Sequence, residues 1–217
     1  MTDTRTLPRE LIDTHPQIGT RHGLRDVLGS EAWYRLPEAV RERFAATAGA
    51  VTYAGAFEIV RASWLGQVFA WLGTMFGTPV APRSGANVAA RVFVRPHAGG
   101  VDWNREYRWN DGGRHLVRST KVVTGDGHLI EKMPARLCMP LAVHEAGGVL
   151  HFVSRAYYFD LGFGLRLPLP LFFSPGVTRV EHIDLGHGWF RFTLAVIHPL
   201  FGEMFFQTGR FCAAEET

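Results

Sequence analysis

The chain has 217 residues, of which 47% are hydrophobic and 20% charged, a composition that folds in water around a sizeable core and excludes disordered, collagen-like and polytopic membrane classes. Its two cysteines, Cys138 and Cys212, rule out a disulfide framework or a four-cysteine zinc site and fit a reducing compartment. The net charge is +3, all but two of the 23 lysines and arginines are arginine, and they are spread among the acidic residues without forming a basic tract, so no nucleic-acid partner is expected.

Residues 1–21 are polar, carry Pro8 and Pro16 and show no periodicity, so they read as a flexible N-terminal tail ahead of a single domain over 22–213. The start, MTDTRTLPRE, lacks a basic stretch followed by an apolar one, and a cytoplasmic location is the expectation. From Leu24 the apolar positions Leu24, Val27 and Leu28, then Trp33, Leu36, Val40 and Phe44, recur at helical spacing. Pro37 suits a first turn and Gly49 a stop, which predicts two short helices packed together.

Val51–Arg61 alternates, with Val51, Tyr53, Phe57 and Ile59 on one face and Thr52 and Glu58 on the other, the period of a strand. The segment from Ala62 to Pro82 has no charged residue, and Trp64, Leu65, Val68, Trp71, Leu72 and Met75 recur at helical intervals. Gly66, Gln67, Gly73 and Gly77 interrupt it before Pro79, so it is too short to span a bilayer. It reads as a buried helix plugging one end of a sheet. The alternative, a helix lying on a membrane surface, lacks the basic polar face such helices usually carry.

Beyond Pro82 the chain is a succession of strands. Val88–Arg95, Val101–Asn110, Arg114–Val123 and His128–Met133 are joined by HAGG, NDGG and GDG. Arg136–His144 and Leu150–Phe159 flank EAGG, Val177–Asp184 and Trp189–His198 flank LGHG, and Phe205–Cys212 closes the set. Short connections without helices predict an α+β, mainly β fold: an antiparallel meander forming a barrel or strongly curved sheet, with N-terminal helices and the apolar helix packed at an end. Only LGFGLRLPLPLFFSP, at 161–175, breaks the rhythm, and it reads as an apolar, proline-stiffened loop closing over something.

Alternation puts Arg105 on one face with Trp103, Tyr107 and Trp109, and Glu131 on one face with Leu129 and Met133. A guanidinium on an apolar face needs a carboxylate, a stacked ring or a ligand anion. Glu131 is a candidate partner, and two readings stay open: a structural Arg105–Glu131 pair, or an anchor for a ligand. Leu137, Met139, Leu141 and Val143, with Phe190, Phe192, Leu194 and Val196, make other inward faces apolar, and such a barrel is either filled by side chains or keeps a lumen. If Gly147 and Gly148 form a two-residue turn, His144 and His151 fall opposite each other. No third ligand accompanies them, and HExxH, CxxC, GxSxG and nucleotide-cradling glycine motifs are absent, so neither a metal nor a cofactor is expected.

The order of VLGSEAWYRLPEAVRERF, the uncharged helix ending in TPVAP, WNREY with Ser119 downstream, LIEK, EAGGVLHF, LRLPLPLFFSP and IHPLFGEMFFQTGRF resembles the bacterial domain of unknown function 4166 (DUF4166), over about Leu24 to Phe211. This family occurs alone or fused to other modules, including dehydrogenase-like ones, and brings no established activity. The resemblance emphasises Trp103, Arg105, Tyr107, Ser119, Glu131, Pro168, Pro170 and Gly209. The chain departs from it at Gln207, where the family tends to carry tyrosine, and in its longer N-terminal tail.

Three functional readings follow. The first is a hydrophobic or amphiphilic small molecule bound in a barrel-like cavity by Trp103, Arg105, Tyr107, Trp109, Ser119, Phe190, Phe192 and Gln207. The second is an isomerase or cyclase in the same cavity, with Glu131 as general acid or base and Arg105 as electrostatic stabiliser. The third is a membrane-surface or partner-docking domain that uses residues 62–82 and 161–175, with peripheral membrane contact.

Overall fold

The computed structural model describes residues 23–46, 48–74 and 80–214; the expected N-terminal tail lies outside the described residues. Three short helices come first, α1 (Leu24–Leu28), α2 (Ser30–Arg35) and α3 (Glu38–Phe44), where the spacing predicted two. Gly29, at φ +83°, separates α1 from α2, a turn that glycine takes without a Cβ clash. Pro37 then starts α3 with its fixed φ.

The remainder is β1 (Val51–Ala62), α4 (Trp64–Thr74), β2 (Gly85–His97), β3 (Gly100–Arg108), β4 (Arg114–Val117), β5 (Thr120–Val123), β6 (Leu129–Lys132), β7 (Leu137–Ala146), β8 (Val149–Ser154), β9 (Tyr158–Gly162), β10 (Leu165–Pro168), β11 (Val177–Gly186), β12 (Trp189–His198) and β13 (Gly202–Ala213). Every pairing is antiparallel. The order β1-β2-β3-β5-β6-β7-β8-β11-β12-β13 returns to β1, so ten strands close an up-and-down barrel and leave it no open edge. The closing seam is tight: a Cβ on Gly209 would lie 2.4 Å from the Ala56 carbonyl oxygen, which is why β13 carries a glycine there.

Local irregularities correct several expectations. The expected strand Arg114–Val123 is β4 and β5, because the ladder loosens at Arg118 and Ser119, where the Ser119 hydroxyl turns to the Trp103 carbonyl. A bulge between Phe57 and Ile59 shifts the alternation of β1, so Ile59 faces out and Val60 is buried. Leu150–Phe159 is also divided: the chain leaves β8 after Ser154, and β9 and β10 form a hairpin hung on β7 through Leu137 and Cys138. The expected 161–175 loop is therefore partly strand, followed by a 3-10 turn over Leu171–Phe173.

The up-and-down order gathers the tight turns after β2, β5, β7 and β11 at one end with α1–α3, where Arg35 of α2 pairs with Glu145. At the other end lie α4, the β6–β7 turn, the β9–β10 hairpin and the β12–β13 turn. We call these the plugged end and the mouth.

The apolar helix also differs from its expectation. A Cβ on Gly66 would lie 1.9 Å from the Met204 carbonyl oxygen, so α4 rests on β13 by its small-residue face, with Ala70 buried. Trp64 and Trp71, expected inward, are 76% and 65% exposed. None of the helices among the described residues is long and apolar enough to cross a membrane.

Candidate functional site

Inside the barrel the inward faces follow strand alternation. Trp103, Arg105 and Tyr107 of β3 and Trp109 just after it are all buried, as are Leu129 and Glu131 of β6 and Met133 just after it. Aromatic rings fill one flank of the lumen. Phe57 of β1 stacks on Tyr107 with centroids 4.9 Å apart and meets Phe211 edge-on at 5.1 Å. The Tyr107 hydroxyl donates to Gln207 Oε1 at 2.8 Å, so Gln207 is bound into this packing.

The opposite flank is open. A cavity of about 460 Å³ runs from Arg105, Lys121 and Glu131 to the mouth, where Gly66, Phe69 and Ala70 of α4 and Leu169, Phe173 and Pro175 cover it. Its walls include Met139 of β7, Val180 of β11, and Phe192, Leu194 and Val196 of β12. This size and lining suit a small apolar ligand. A second cavity of about 390 Å³ lies under α3 beside the β2–β3 turn, and Lys121 borders both.

The polar floor is arranged differently from the expected Arg105–Glu131 pair. Lys121 stands directly across the β5–β6 ladder from Glu131, with Nζ 3.3 Å from Oε1 and over the rings of Trp103 and Phe152 at 5.4 and 5.7 Å. Burial pushes the Glu131 carboxyl up, but Lys121, Arg105 and the Ser119 hydroxyl together outweigh it and hold the group below the usual carboxylate range. Glu131 is therefore ionised at neutral pH. Burial lowers Lys121 while Glu131 opposes the shift.

Arg105 is 6% exposed, lies 5.9 Å from the Phe192 ring centroid, and leaves its buried Nε without a hydrogen-bond partner. Nearby, Tyr157 and Thr178 join hydroxyl to hydroxyl, and burial keeps the Tyr157 phenol protonated well above its ordinary value.

Of the residues singled out from the sequence, Arg105, Glu131 and Phe192 border the larger cavity and Trp103 the smaller. Tyr107, Trp109, Ser119, Phe190 and Gln207 border neither and serve as packing or, for Ser119, as a partner of Glu131. Sequence reasoning missed Lys121, although it shares its strand face with Ser119 and is one of only two lysines. It also missed Tyr157, Thr178 and Arg43.

At the plugged end the Arg43 guanidinium lies 3.8 Å from the Phe190 ring centroid, and Phe44 contacts Trp103, Phe152 and His182. Burial among these rings, reinforced by Arg43, Lys121 and Arg105, holds His182 well below its ordinary value and therefore neutral. His144 and His151 do face each other, stacked at 4.8 Å across the Gly147–Gly148 turn. Among the described residues no group of three or more His, Cys, Asp or Glu stands close enough to hold a metal.

The family described as Domain of unknown function (DUF4166) matches residues 36–211, and the chain belongs to it; α1 and α2 precede the matched span. No curated protein and no solved structure matches the chain.

Proposed function

We propose that this DUF4166 domain binds a hydrophobic or amphiphilic small molecule in the lumen of its barrel. The observation that carries the reading is the cavity of about 460 Å³ with apolar walls, whose charged groups, among the described residues, are Arg105, Lys121 and Glu131. An enclosed apolar surface favours alkyl or ring carbon over water, and charges gathered in one place orient the ligand's polar end. The test is native mass spectrometry of freshly purified protein, followed by solvent extraction and mass analysis of what is released. A stoichiometric apolar adduct is expected. A clean apo mass, together with failure of any apolar probe to bind, sinks the proposal.

The catalytic alternative fares less well. An ionised Glu131 held by Lys121 has no proton to donate and weak basicity, so turnover would need a different acid or base. Peripheral membrane contact is a second reading with its own support. Around the mouth Trp64, Trp71, Phe163, Leu165, Phe172 and Phe173 are exposed, and the exposed Lys132 at the end of β6, Arg136 and Arg155 in neighbouring connections and Arg166 of β10 make no ion pair among the described residues, a combination that suits an anionic bilayer surface. Co-sedimentation with phosphatidylglycerol vesicles is the expected result, and no binding to them removes this reading. The proposal keeps the protein in the bacterial cytoplasm, a setting that the free thiols of Cys138 and Cys212 support.

A further inference from the structure

Counting the charges in the cavity takes the reading above one step further and rests on it. Lys121 and Glu131 form a compensated pair, with the ammonium also resting on two aromatic rings. Arg105 is the remainder. Its guanidinium carries one positive charge, it makes no ion pair or hydrogen bond among the described residues, and its Nε is enclosed with nothing to donate to. The ring of Phe192 lies 5.9 Å away, and Glu131, already paired with Lys121, is the carboxylate that also feels its charge. Two buried cations thus share one carboxylate, and the described residues lining the lumen leave one positive charge in excess, which is unfavourable in an apolar site.

We infer that the cavity takes an amphiphile whose head is a singly charged oxyanion, seated on Arg105 with its apolar part directed toward α4. A neutral head leaves the surplus charge standing, a cationic head doubles it, and a doubly charged head overshoots it. The planar fork of guanidinium N–H groups matches two oxygens of one carboxylate-like head. Above Arg105 the route to the mouth, past Leu194, Val196, Phe69 and Phe173, offers apolar surface to the remainder of the ligand.

The test is isothermal titration of the whole chain with three probes of equal chain length, each below its micellar concentration: dodecanoate, dodecanol and dodecyltrimethylammonium. Dodecanoate should bind at least about tenfold more tightly than dodecanol, and the ammonium probe most weakly. Equal affinity for dodecanoate and dodecanol overturns the charge inference while leaving the apolar cavity intact; failure of all three overturns the cavity reading as well. Arg105→Met should bring dodecanoate down to the level of dodecanol without changing dodecanol, and a preference that survives the substitution overturns the assignment to Arg105. If Arg105→Met does not fold, Arg105→Gln replaces it, with the same loss of the preference for dodecanoate expected; a preference that survives Arg105→Gln overturns the assignment.

Discussion

At the plugged end, Leu24, Trp33, Leu36 and Val40 of α1–α3 and the residue after α2 are all buried, and Phe44 reaches the rings of Trp103 and Phe152. At the mouth, α4 is the more apolar helix, yet it turns Trp64 and Trp71 outward while Gly66 and Ala70 take the contact with the barrel. The hairpin beside it exposes Phe163, Leu165 and Leu167. Apolar content therefore does not decide which end seals. What decides is the contact available: α3 meets an opening wide enough to admit a phenylalanine, whereas α4 crosses the rim of β13 so closely that only glycine fits. One end is fastened into the core through Phe44, with the smaller cavity beneath α3, and the other leaves an apolar rim above the larger cavity.

Substitutions at the two ends should consequently separate stability from binding. The largest effect is expected from Phe152→Ala, which removes a fully buried ring beside Phe44 and His182 and should cost about 4 kcal/mol in urea unfolding. A cost below about 1 kcal/mol would mean that the plug is loosely packed. Next, Glu131→Gln strands the Lys121 charge beside Arg105 and should cost about 3 kcal/mol; an unchanged denaturation midpoint would break the picture of a dry, paired floor.

His182 gives a smaller, pH-dependent contrast. Its folded pKa is depressed, so protonation favours the unfolded chain: its contribution is fully present above the ordinary histidine value of about 6.5 and is lost as pH falls below it. Lowering the pH from about 7.5 to about 5.5 should remove about 1.4 kcal/mol, and His182→Gln should abolish that share of the acid sensitivity. The smallest effect on stability belongs to the mouth. Replacing Trp64 and Trp71 together by serine should change unfolding by no more than about 0.5 kcal/mol while reducing vesicle co-sedimentation. Large destabilisation would place those rings in the core and erase the difference between the ends.

Much of the fold is legible in the residues themselves. The turn glycines separate the strands, and Gly147 and Gly148, both at positive φ, close the hairpin that sets His144 against His151. The inward placement of Arg105 and Glu131 likewise follows from counting by two. The errors arise where a local rule meets a tertiary demand. The β1 bulge reverses Ile59 and Val60, and the helical spacing of α4 marks an apolar stripe without telling which side the barrel can accept. Tyr157, in the connection between β8 and β9, belongs to no alternating pattern that would have flagged it.

The candidate site shows the same division. Sequence alone determined that the chain forms an antiparallel, strand-rich barrel or strongly curved sheet with an arginine and a glutamate on apolar faces, because side-chain direction in a strand depends only on position along it. Tertiary structure decided that Glu131 meets Lys121 and that Arg105 is left over. Lys121 faces Glu131 across β5 and β6, whereas Arg105 is flanked on its ladder by Val92 and Val117. Partnership between inward residues depends on strand order and register, which the closure of all ten strands sets together.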